Sequence, residues 1–349
     1  MRRWANEPLP SQPRLALVAN DAIGNFVIAT SVAQMLRSAH DGCSIDLWSG
    51  SRVREFLALP TPPGHSALFD AFHQFLREPP ETVTQAVDQA LKGSRYDLVV
   101  NIEDSQPARQ LTARLAADGC WVCGPAERST GALLPFADDD RGRLWRHTEW
   151  VSESIREQFP FLHSSYIGEF FCRLAYLGGP MPPARVPTAR WTDAVPEVLI
   201  AMSASLPDKL WPADAWSQVL KELRADGLSI GLLGAKPSSQ SAHWLGSDAE
   251  AEVVDAGLVD DLRGRPSLPQ VADLLSRAYL VLTLDNGIMH LAATSRTPTV
   301  ALFRHGIHRL WTPPWGDVRP VVAPPGSPVS TITADAVADA VREPRECGG

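Results

Sequence analysis

The sequence predicts an α/β protein with two Rossmann-like halves in tandem. Short apolar runs bounded by turn residues alternate with segments of helical periodicity. This alternation is typical of parallel strands joined by helices that cover both faces of the sheet. A proline-rich stretch at 180–187 separates two such series, and 349 residues suit two domains of typical size. We therefore expect domains over 1–180 and 181–349.

The first series begins with the apolar run RLALVAN. Continuous apolar runs favour strands buried on both faces, and the amphipathic segments between them favour helices. The charge-rich stretch 128–148 is either a solvated loop or a loop that faces substrate. The predicted strands are 14–20, 44–48, 98–102 and 120–124, and the predicted helices are 26–39, 81–92, 106–117 and 164–178.

The second series repeats the same pattern. A helix is expected after Trp211-Pro212, because a proline at an early helical position loses little by lacking an N–H. The final predicted helix is a candidate to pack back toward the first domain. The predicted strands are 197–202, 229–234, 280–285 and 298–303, and the other predicted helices are 267–278, 286–295 and 333–343.

Composition excludes several classes of protein. A content of 44% hydrophobic and 21% charged residues is that of a globular chain, not a disordered or fibrous one. The net charge of −8, shared by both halves, argues against a protein that binds nucleic acid or an anionic membrane surface. No stretch reaches the roughly 20 apolar residues that a membrane span needs, so we expect a cytoplasmic protein.

Familiar catalytic and metal motifs are missing from the sequence. Neither half has the glycine-rich motif of dinucleotide-binding enzymes or the P-loop of nucleotide hydrolases. The pair Cys120 and Cys123 suggests a metal or redox site, but no second Cys or His pair follows at zinc spacing. We therefore predict a buried strand there and no bound metal.

One strand-to-helix turn carries a candidate anion site. The predicted strand 280–285 ends in Asp285, and a helix begins at once with Asn286 and Gly287. First-turn N–H groups and the positive helix end favour anions, and glycine lets a phosphate approach the backbone. Asp285 is suited to bind sugar hydroxyls or to cap the helix. His290, in the first turn, is a candidate for either a packing or a binding role.

A second turn, over 201–212, carries a candidate phosphate ligand. The chain has only four lysines, and Lys209 follows a predicted strand end beside Ser203 and Ser205. A compact ammonium group there suits phosphate, although an ordinary loop lysine is the alternative. Ligands of open α/β sheets bind at the carboxyl ends of strands, where both turns lie.

Taken in order, these motifs resemble glycosyltransferase family 9, the heptosyltransferases. They are K-x-W-P at 209–212, the amphipathic block at 267–278, and D-N-G-x-x-H-L-A-A at 285–293 followed by P-T-V-A-L-F. The likeness is firmest over 197–316 and looser over 14–180. It implies a GT-B architecture, with two Rossmann-like domains facing across a cleft. The first domain would hold the acceptor and the second a nucleotide sugar, usually ADP-heptose.

The resemblance also implies a mechanism and a set of donor-binding residues. Such enzymes invert the anomeric carbon without a bound metal or cofactor. Lys209 and Ser205 would contact the diphosphate, with help from the amides of Asn286 and Gly287. Asp285 would bind the donor sugar. The remaining matches are Pro266, placed against the adenine, and His290, inside the matching motif.

The chain departs from the family pattern at the catalytic base. The family's first loop ends in an aspartate that takes the acceptor proton, and here that position is Asn25, whose amide has no useful basicity. Asp21 is the nearest carboxylate and the first candidate replacement, followed by Glu103 and Asp104. A second departure, Arg304-His305-Gly306, replaces the glycine-rich turn expected after 298–303 and adds a cation near the phosphates or changes which nucleotide fits.

These departures leave several functions open. The first is a glycosyltransferase that uses an ADP-sugar and acts on a glycan, a natural product or a protein side chain. The second is a GT-B protein that binds a nucleotide sugar without turnover, suggested by Asn25. The third is an epimerase or hydrolase that acts on a nucleotide sugar without an acceptor.

Overall fold

A computed structural model describes residues 1–60, 67–116, 119–240 and 245–343. The chain divides into two compact units, Met1–Arg185 and Val186–Gly349. Each unit contains a six-stranded sheet. Every strand pair in both sheets is parallel, as predicted for an α/β protein.

The first sheet has the strand order β1-β6-β5-β2-β3-β4. Its four central strands are the predicted ones. Their side chains are buried on both faces of the sheet, so each strand is a run of mostly apolar residues that the sequence reveals. The edge strands β1 and β4 were not predicted, since a pair of arginines and a half-buried tetrapeptide have no apolar pattern. The six strands are β1 (Arg2–Arg3), β2 (Arg14–Val18), β3 (Ser44–Ser49), β4 (Ala71–Gln74), β5 (Leu98–Asn101) and β6 (Trp121–Cys123).

The first unit has three short helices that were not predicted, at 54–57, 140–146 and 155–158, and one predicted helix is shorter than expected. Within 128–148, Asp139 accepts a hydrogen bond from the Gly142 N–H and caps a short helix, so this stretch is not entirely loop. Residue 117, the predicted end of α4, lies outside the described residues. The helices are α1 (Ile23–Ala39), α2 (Arg54–Leu57), α3 (Pro80–Leu91), α4 (Gln106–Leu115), α5 (Asp140–Arg146), α6 (Ile155–Gln158) and α7 (Ile167–Leu174).

Helix α7 is shorter than the predicted 164–178 because polar contacts end it on both sides. Before it, Glu169 accepts hydrogen bonds from the backbone N–H groups of His163 and Ser164, which holds that segment in a turn. After it, Tyr176 has φ of 56° in the left-handed region, and Arg173 donates to the Leu177 carbonyl. These contacts close the helix well before the glycines at 178–179.

The proline-rich stretch is attached to the first unit. The Arg185 N–H donates to Thr30 Oγ1 on α1, and Gln34 Nε2 on the same helix donates to the Pro183 carbonyl. These bonds explain why the first unit extends through Arg185.

The second sheet has the strand order β12-β11-β10-β7-β8-β9. Strand β10 lies between β7 and β11, and all five of its residues are buried. The edge strands β9 and β12 were not predicted, because two aspartates and a proline-containing segment carry no strand signal. The strands are β7 (Val198–Ala201), β8 (Ile230–Leu232), β9 (Asp260–Asp261), β10 (Leu280–Leu284), β11 (Thr299–Phe303) and β12 (Val318–Val322).

The helices of the second unit match the predicted segments and add three short ones. Helix α14 packs on α8, where Arg342 pairs with Glu222 at 2.7 Å. Its expected reach toward the first domain stays a prediction. The helices are α8 (Ala213–Ala225), α9 (Pro237–Gln240), α10 (Ser247–Asp255), α11 (Leu268–Arg277), α12 (Gly287–Thr294), α13 (Ile307–Trp311) and α14 (Ala334–Arg342).

Each unit has its own apolar core between sheet and helices. In the second unit, Trp216 of α8 is fully buried among strand side chains such as Ile200 and Leu282. Among the described residues, no helix combines the length and the apolar character that crossing a bilayer requires.

Candidate functional site

The two turns singled out in the sequence meet at the carboxyl edge of the second sheet. Parallel neighbours end at the same edge, so the residues after β7, β10 and β11 are brought together. The N–H of Asp285, directly after β10, donates to the Leu302 carbonyl of β11. On the other side, the loop after β7 holds Ser203, Ser205 and Lys209, the last of these in a 3-10 turn over Pro207–Lys209.

Lys209 and Asp285 form an ion pair at this edge. The ammonium nitrogen lies 2.7 Å from Asp285 Oδ2 and 3.4 Å from the Asp285 carbonyl oxygen. The side chains are 16% and 6% exposed. A charge pair so sheltered from water is screened much less than a surface pair. The pair therefore places a positive and a negative group side by side at the start of α12.

Asn286, not Asp285, caps helix α12. Its Oδ1 accepts hydrogen bonds from the Ile288 N–H at 2.9 Å and from Thr283 Oγ1 at 3.1 Å. Its Nδ2 donates to the Ser203 carbonyl at 3.1 Å, which joins the loop after β7 to the loop after β10. The alternative role of Asp285 as the helix cap is therefore wrong, and its carboxylate is left to pair with Lys209. Gly287 begins the helix.

A second ion pair lies beside the first. Arg304, the first residue after β11, donates to Asp208 Oδ2 at 2.6 Å. Asp208 precedes Lys209 in the same 3-10 turn, so this turn is joined to the ends of both β10 and β11. Arg304 is one of the residues that the sequence predicts near the phosphates, whereas Asp208 is not. The only available signal for Asp208 was its position beside a lysine at a strand end.

His290 lies beneath the site. Its side chain is buried, and its ring meets the ring of Trp311 edge-on at a centroid distance of 5.8 Å. Burial lowers the pKa of His290 to about 4, with Asp285 opposing this shift and Lys209 adding to it. The imidazole is therefore neutral at pH 7, and its position favours the packing role.

Pro266 lies toward the other end of the same edge. It follows β9 and directly precedes Ser267, whose side chain caps α11. The N–H of Gly264, which has φ of 66°, donates to the Gly234 carbonyl after β8. A Cβ on Gly264 would lie 2.7 Å from Lys236 Cα, so only glycine fits there. Pro266 is thus held beside the loops that follow β8 and β9.

In the first unit, Asp21 is engaged with Arg77. Both carboxylate oxygens of Asp21 accept hydrogen bonds from Arg77, the shortest at 2.6 Å, and Asp21 is 1% exposed. A Cβ on Gly50 would lie only 2.3 Å from Asp21 Oδ2. The carboxylate is therefore directed toward the residues that follow β3 and β4, and the guanidinium occupies both oxygens.

The other residues considered for proton transfer lie at the same edge of the first sheet. Asn25 is half-buried in the first turn of α1. Glu103, after β5, uses one oxygen to accept a hydrogen bond from the Ser105 N–H at 3.1 Å. Asp104 is exposed and pairs with Arg109 at 3.1 Å. Of the three carboxylates, Asp104 is paired at the surface, Asp21 is enclosed, and Glu103 is half-buried without an ion pair among the described residues.

Comparison with known proteins agrees with this arrangement. Residues 184–325, which contain both ion pairs, match the family described as glycosyltransferase family 9 (heptosyltransferase). Over this stretch the chain is similar to glycosyltransferase family 9. Lipopolysaccharide heptosyltransferase 3 of Escherichia coli K12 is 28% identical over 116 residues, which make up 33% of this chain and 33% of that protein. The alignment therefore spans about a third of the relative's length.

The chain shares its fold with solved structures of glycosyltransferases. A family 9 glycosyltransferase from Veillonella parvula DSM 2008 superposes with a TM-score of 0.73 at 14% identity, covering 96% of this chain and 98% of that one. The E. coli heptosyltransferase WaaC with ADP gives a TM-score of 0.61 at 18% identity, covering 94% and 98%. Two parallel sheets match these GT-B structures, and the predicted fold class is confirmed.

The cysteine pair of the first unit is structural. Burial raises the pKa of Cys120 and of Cys123 to about 12, so both stay protonated thiols. Cys123 Sγ contacts the Leu174 carbonyl at 3.1 Å, and the predicted strand is β6. Within the described ranges, no three His, Cys, Asp or Glu side chains are grouped as a metal site would require. Metal independence of the protein stays a prediction.

Proposed function

We propose that this protein transfers a sugar from an ADP-sugar to an acceptor hydroxyl, with inversion and without a metal. The observation that carries the proposal is the Lys209–Asp285 pair at the start of α12. An ammonium group and helix-start amides suit a diphosphate, and a neighbouring carboxylate suits sugar hydroxyls. The match of residues 184–325 to glycosyltransferase family 9 supports the transferase class.

The donor is proposed to be an ADP-sugar, with heptose as the first sugar to test. Two structural neighbours support this choice, because one is E. coli WaaC with ADP and the other is TibC in complex with ADP-D-beta-D-heptose. The diphosphate would contact Lys209 and Ser205, with Ser203 nearby and amides at 286–287. Asp285 would bind the sugar, and Pro266 would lie against the base.

The proposed reaction is a single displacement at the anomeric carbon. The acceptor oxygen forms a bond to that carbon while the bond from the carbon to the diphosphate oxygen breaks. The ADP that leaves carries the electron pair of the broken bond, and Lys209 stabilises its negative charge. The acceptor hydroxyl loses its proton to a carboxylate. We assign this role to Glu103, because Asp21 is occupied by Arg77 and Asn25 cannot accept a proton.

The second candidate function is nucleotide-sugar binding without turnover. Asn25 favours this candidate, since it stands where the family pattern has the catalytic aspartate. The donor site would then be the same, and only the transfer step would be missing. Measuring donor consumption in the presence of a panel of acceptors separates the two candidates.

The donor site is tested by measuring ADP binding calorimetrically. We expect Lys209→Ala to weaken the binding of both ADP and ADP-sugar by about tenfold or more, and Asp285→Ala to weaken the binding of ADP-sugar by a similar factor, as loss of a charged hydrogen bond does. Lys221→Ala is the matched control, because Lys221 is an exposed lysine on α8. Wild-type affinity in both site variants would overturn the proposal.

A further inference from the structure

The ion pair between Arg304 and Asp208 suggests a role for a residue outside the family pattern. We propose that Arg304 is a second cationic ligand for the donor, in contact with its terminal phosphate, and that Asp208 competes with that phosphate. This assignment rests on the proposed function, and it names the residue that would recognise the second phosphate of the nucleoside diphosphate donor. Arg304 would then set the preference for a diphosphate over a monophosphate.

The sheet geometry places Arg304 on the correct side of the site. Strands β11 and β10 are paired, with Leu302 opposite Leu284, so Arg304 and Asp285 follow the ends of neighbouring strands. Neighbouring strands lie about 5 Å apart. Pro266 follows β9, on the opposite side of β10 from Arg304. If the base lies by Pro266, the nucleotide extends across β7 and β10, and its terminal phosphate comes nearest to Arg304.

One turn is joined to both cationic side chains, because it contains Lys209 and its Asp208 pairs with Arg304. Lys209 of the 3-10 turn contacts the residue after β10, and Asp208 of the same turn contacts the residue after β11. Lys209 is therefore paired with Asp285, and Arg304 is paired with Asp208, which lies next to Lys209 in the turn. Two phosphoryl groups of a bound diphosphate match two such cations, since each phosphate oxygen can replace a carboxylate oxygen as the acceptor.

The contact between Arg304 and Asp208 leaves hydrogen-bonding capacity unused. Arg304 Nε and Asp208 Oδ1 are both buried, and neither has a hydrogen-bond partner among the described residues. A guanidinium presents five N–H donors in a planar fork, and here one carboxylate oxygen accepts at 2.6 Å. A phosphate, with more acceptor oxygens than a carboxylate, would satisfy this fork better.

The assignment is tested by comparing how ADP, AMP and adenosine bind to each variant. We expect Arg304→Ala to weaken ADP binding about tenfold, the loss of one charged hydrogen bond, while AMP and adenosine change less than about twofold. Arg304→Lys should bind ADP with an affinity between those of wild type and Arg304→Ala. Asp208→Asn should strengthen ADP binding because it removes the competing charge. Arg342→Ala, which breaks the exposed pair with Glu222, is the matched control.

The outcomes separate this assignment from the proposed function. Suppose that Lys209→Ala weakens ADP binding strongly, whereas Arg304→Ala binds ADP within about twofold of wild type. This result would overturn only the role of Arg304. Equal weakening of ADP, AMP and adenosine by Arg304→Ala would also overturn it, since that result indicates a purely structural pair. A wild-type protein that binds no ADP would overturn both. Arg304→Gln, which keeps an N–H for Asp208 without the charge, gives the same test if Arg304→Ala does not fold.

Discussion

Arg77 donates hydrogen bonds to both carboxylate oxygens of Asp21, and the two residues join the loop after β2 to the loop after β4. The Asp21 side chain is 2% exposed, whereas that of Arg77 is 50% exposed. Without Arg77, the buried Asp21 carboxylate would therefore lose its counter-charge, whereas Arg77 could still be solvated by water. From this relationship we predict that Asp21 has a structural role in the first unit.

We predict that Arg77→Ala lowers the free energy of unfolding of the first unit by about 2 kcal/mol, because it leaves a buried carboxylate without its counter-charge. Denaturant unfolding of the full chain measures this change. Arg109→Ala is the control, since its partner Asp104 is exposed, and its effect should stay below about 1 kcal/mol. Equal effects of the two variants would contradict a structural role for the Arg77 contact.

Proton transfer is tested with two further substitutions. If Glu103 is the base, Glu103→Gln should reduce donor consumption by about a hundredfold or more while ADP binding is unchanged. Asp104→Asn is the matched control and should retain activity, because Asp104 is paired at the surface. Full activity of Glu103→Gln would exclude Glu103 as the base.

Asn25→Asp separates transfer from binding alone. An acceptor panel of glycans, natural-product scaffolds and peptides is incubated with ADP-heptose and each protein. A wild type that turns over donor supports the transferase. A silent wild type whose Asn25→Asp variant gains activity supports the binding protein, because the variant restores the family's carboxylate.

The buried His290 predicts a loss of stability in mild acid. Its pKa in the folded protein is about 4, below the ordinary value of 6.5, so the unfolded chain binds a proton more readily. The stabilisation is complete above pH 6.5 and declines as the pH falls toward 4. Between pH 7 and pH 5, we expect His290 to account for a loss of about 2 kcal/mol.

Chemical denaturation at the two pH values, compared between wild type and His290→Gln, isolates this contribution. The variant should lose less stability than wild type on acidification. Identical losses would contradict a neutral buried imidazole. His40 also has a pKa lowered by burial, and His40→Gln provides a parallel measurement in the first unit.

The low pKa of Asp46, a residue of β3, predicts how the stability of the protein changes at low pH. Burial raises the pKa of Asp46, but the nearby His73 side chain and hydrogen bonds from Tyr96 and Arg14 outweigh it and lower the pKa to about 2. This carboxylate therefore stabilises the fold above its ordinary pKa of 3.8, and the stabilisation is lost as the pH falls toward 2.

We expect Asp46→Asn to lower the free energy of unfolding by about 2 kcal/mol at pH 7, with the difference from wild type shrinking below pH 4. Denaturant titrations at pH 7 and pH 3 measure this difference. Asp104→Asn, at an exposed position, serves as the control. A difference that is independent of pH would contradict the low pKa of Asp46.

The central strands and the outline of the donor site were accessible from the sequence. Strands such as β2, β7 and β10 are buried on both faces, so each is a continuous apolar run. Once the strands are known to be parallel, the residues that follow them must meet at one edge. For this reason the sequence predicts that Lys209 and Asp285 both belong to the donor site, although they are far apart in the chain. The structure brings the two side chains into contact.

Tertiary structure alone decided the edge strands and the polar pairing. Strands β1 and β9 have two residues each and exist through hydrogen bonds to a neighbour, which leaves no periodic pattern. Asp21 and Arg77 lie 56 positions apart, and Asp208 and Arg304 lie 96 apart. A charged side chain carries no sequence mark of its partner, because the pairing depends on which loops the sheet order makes adjacent.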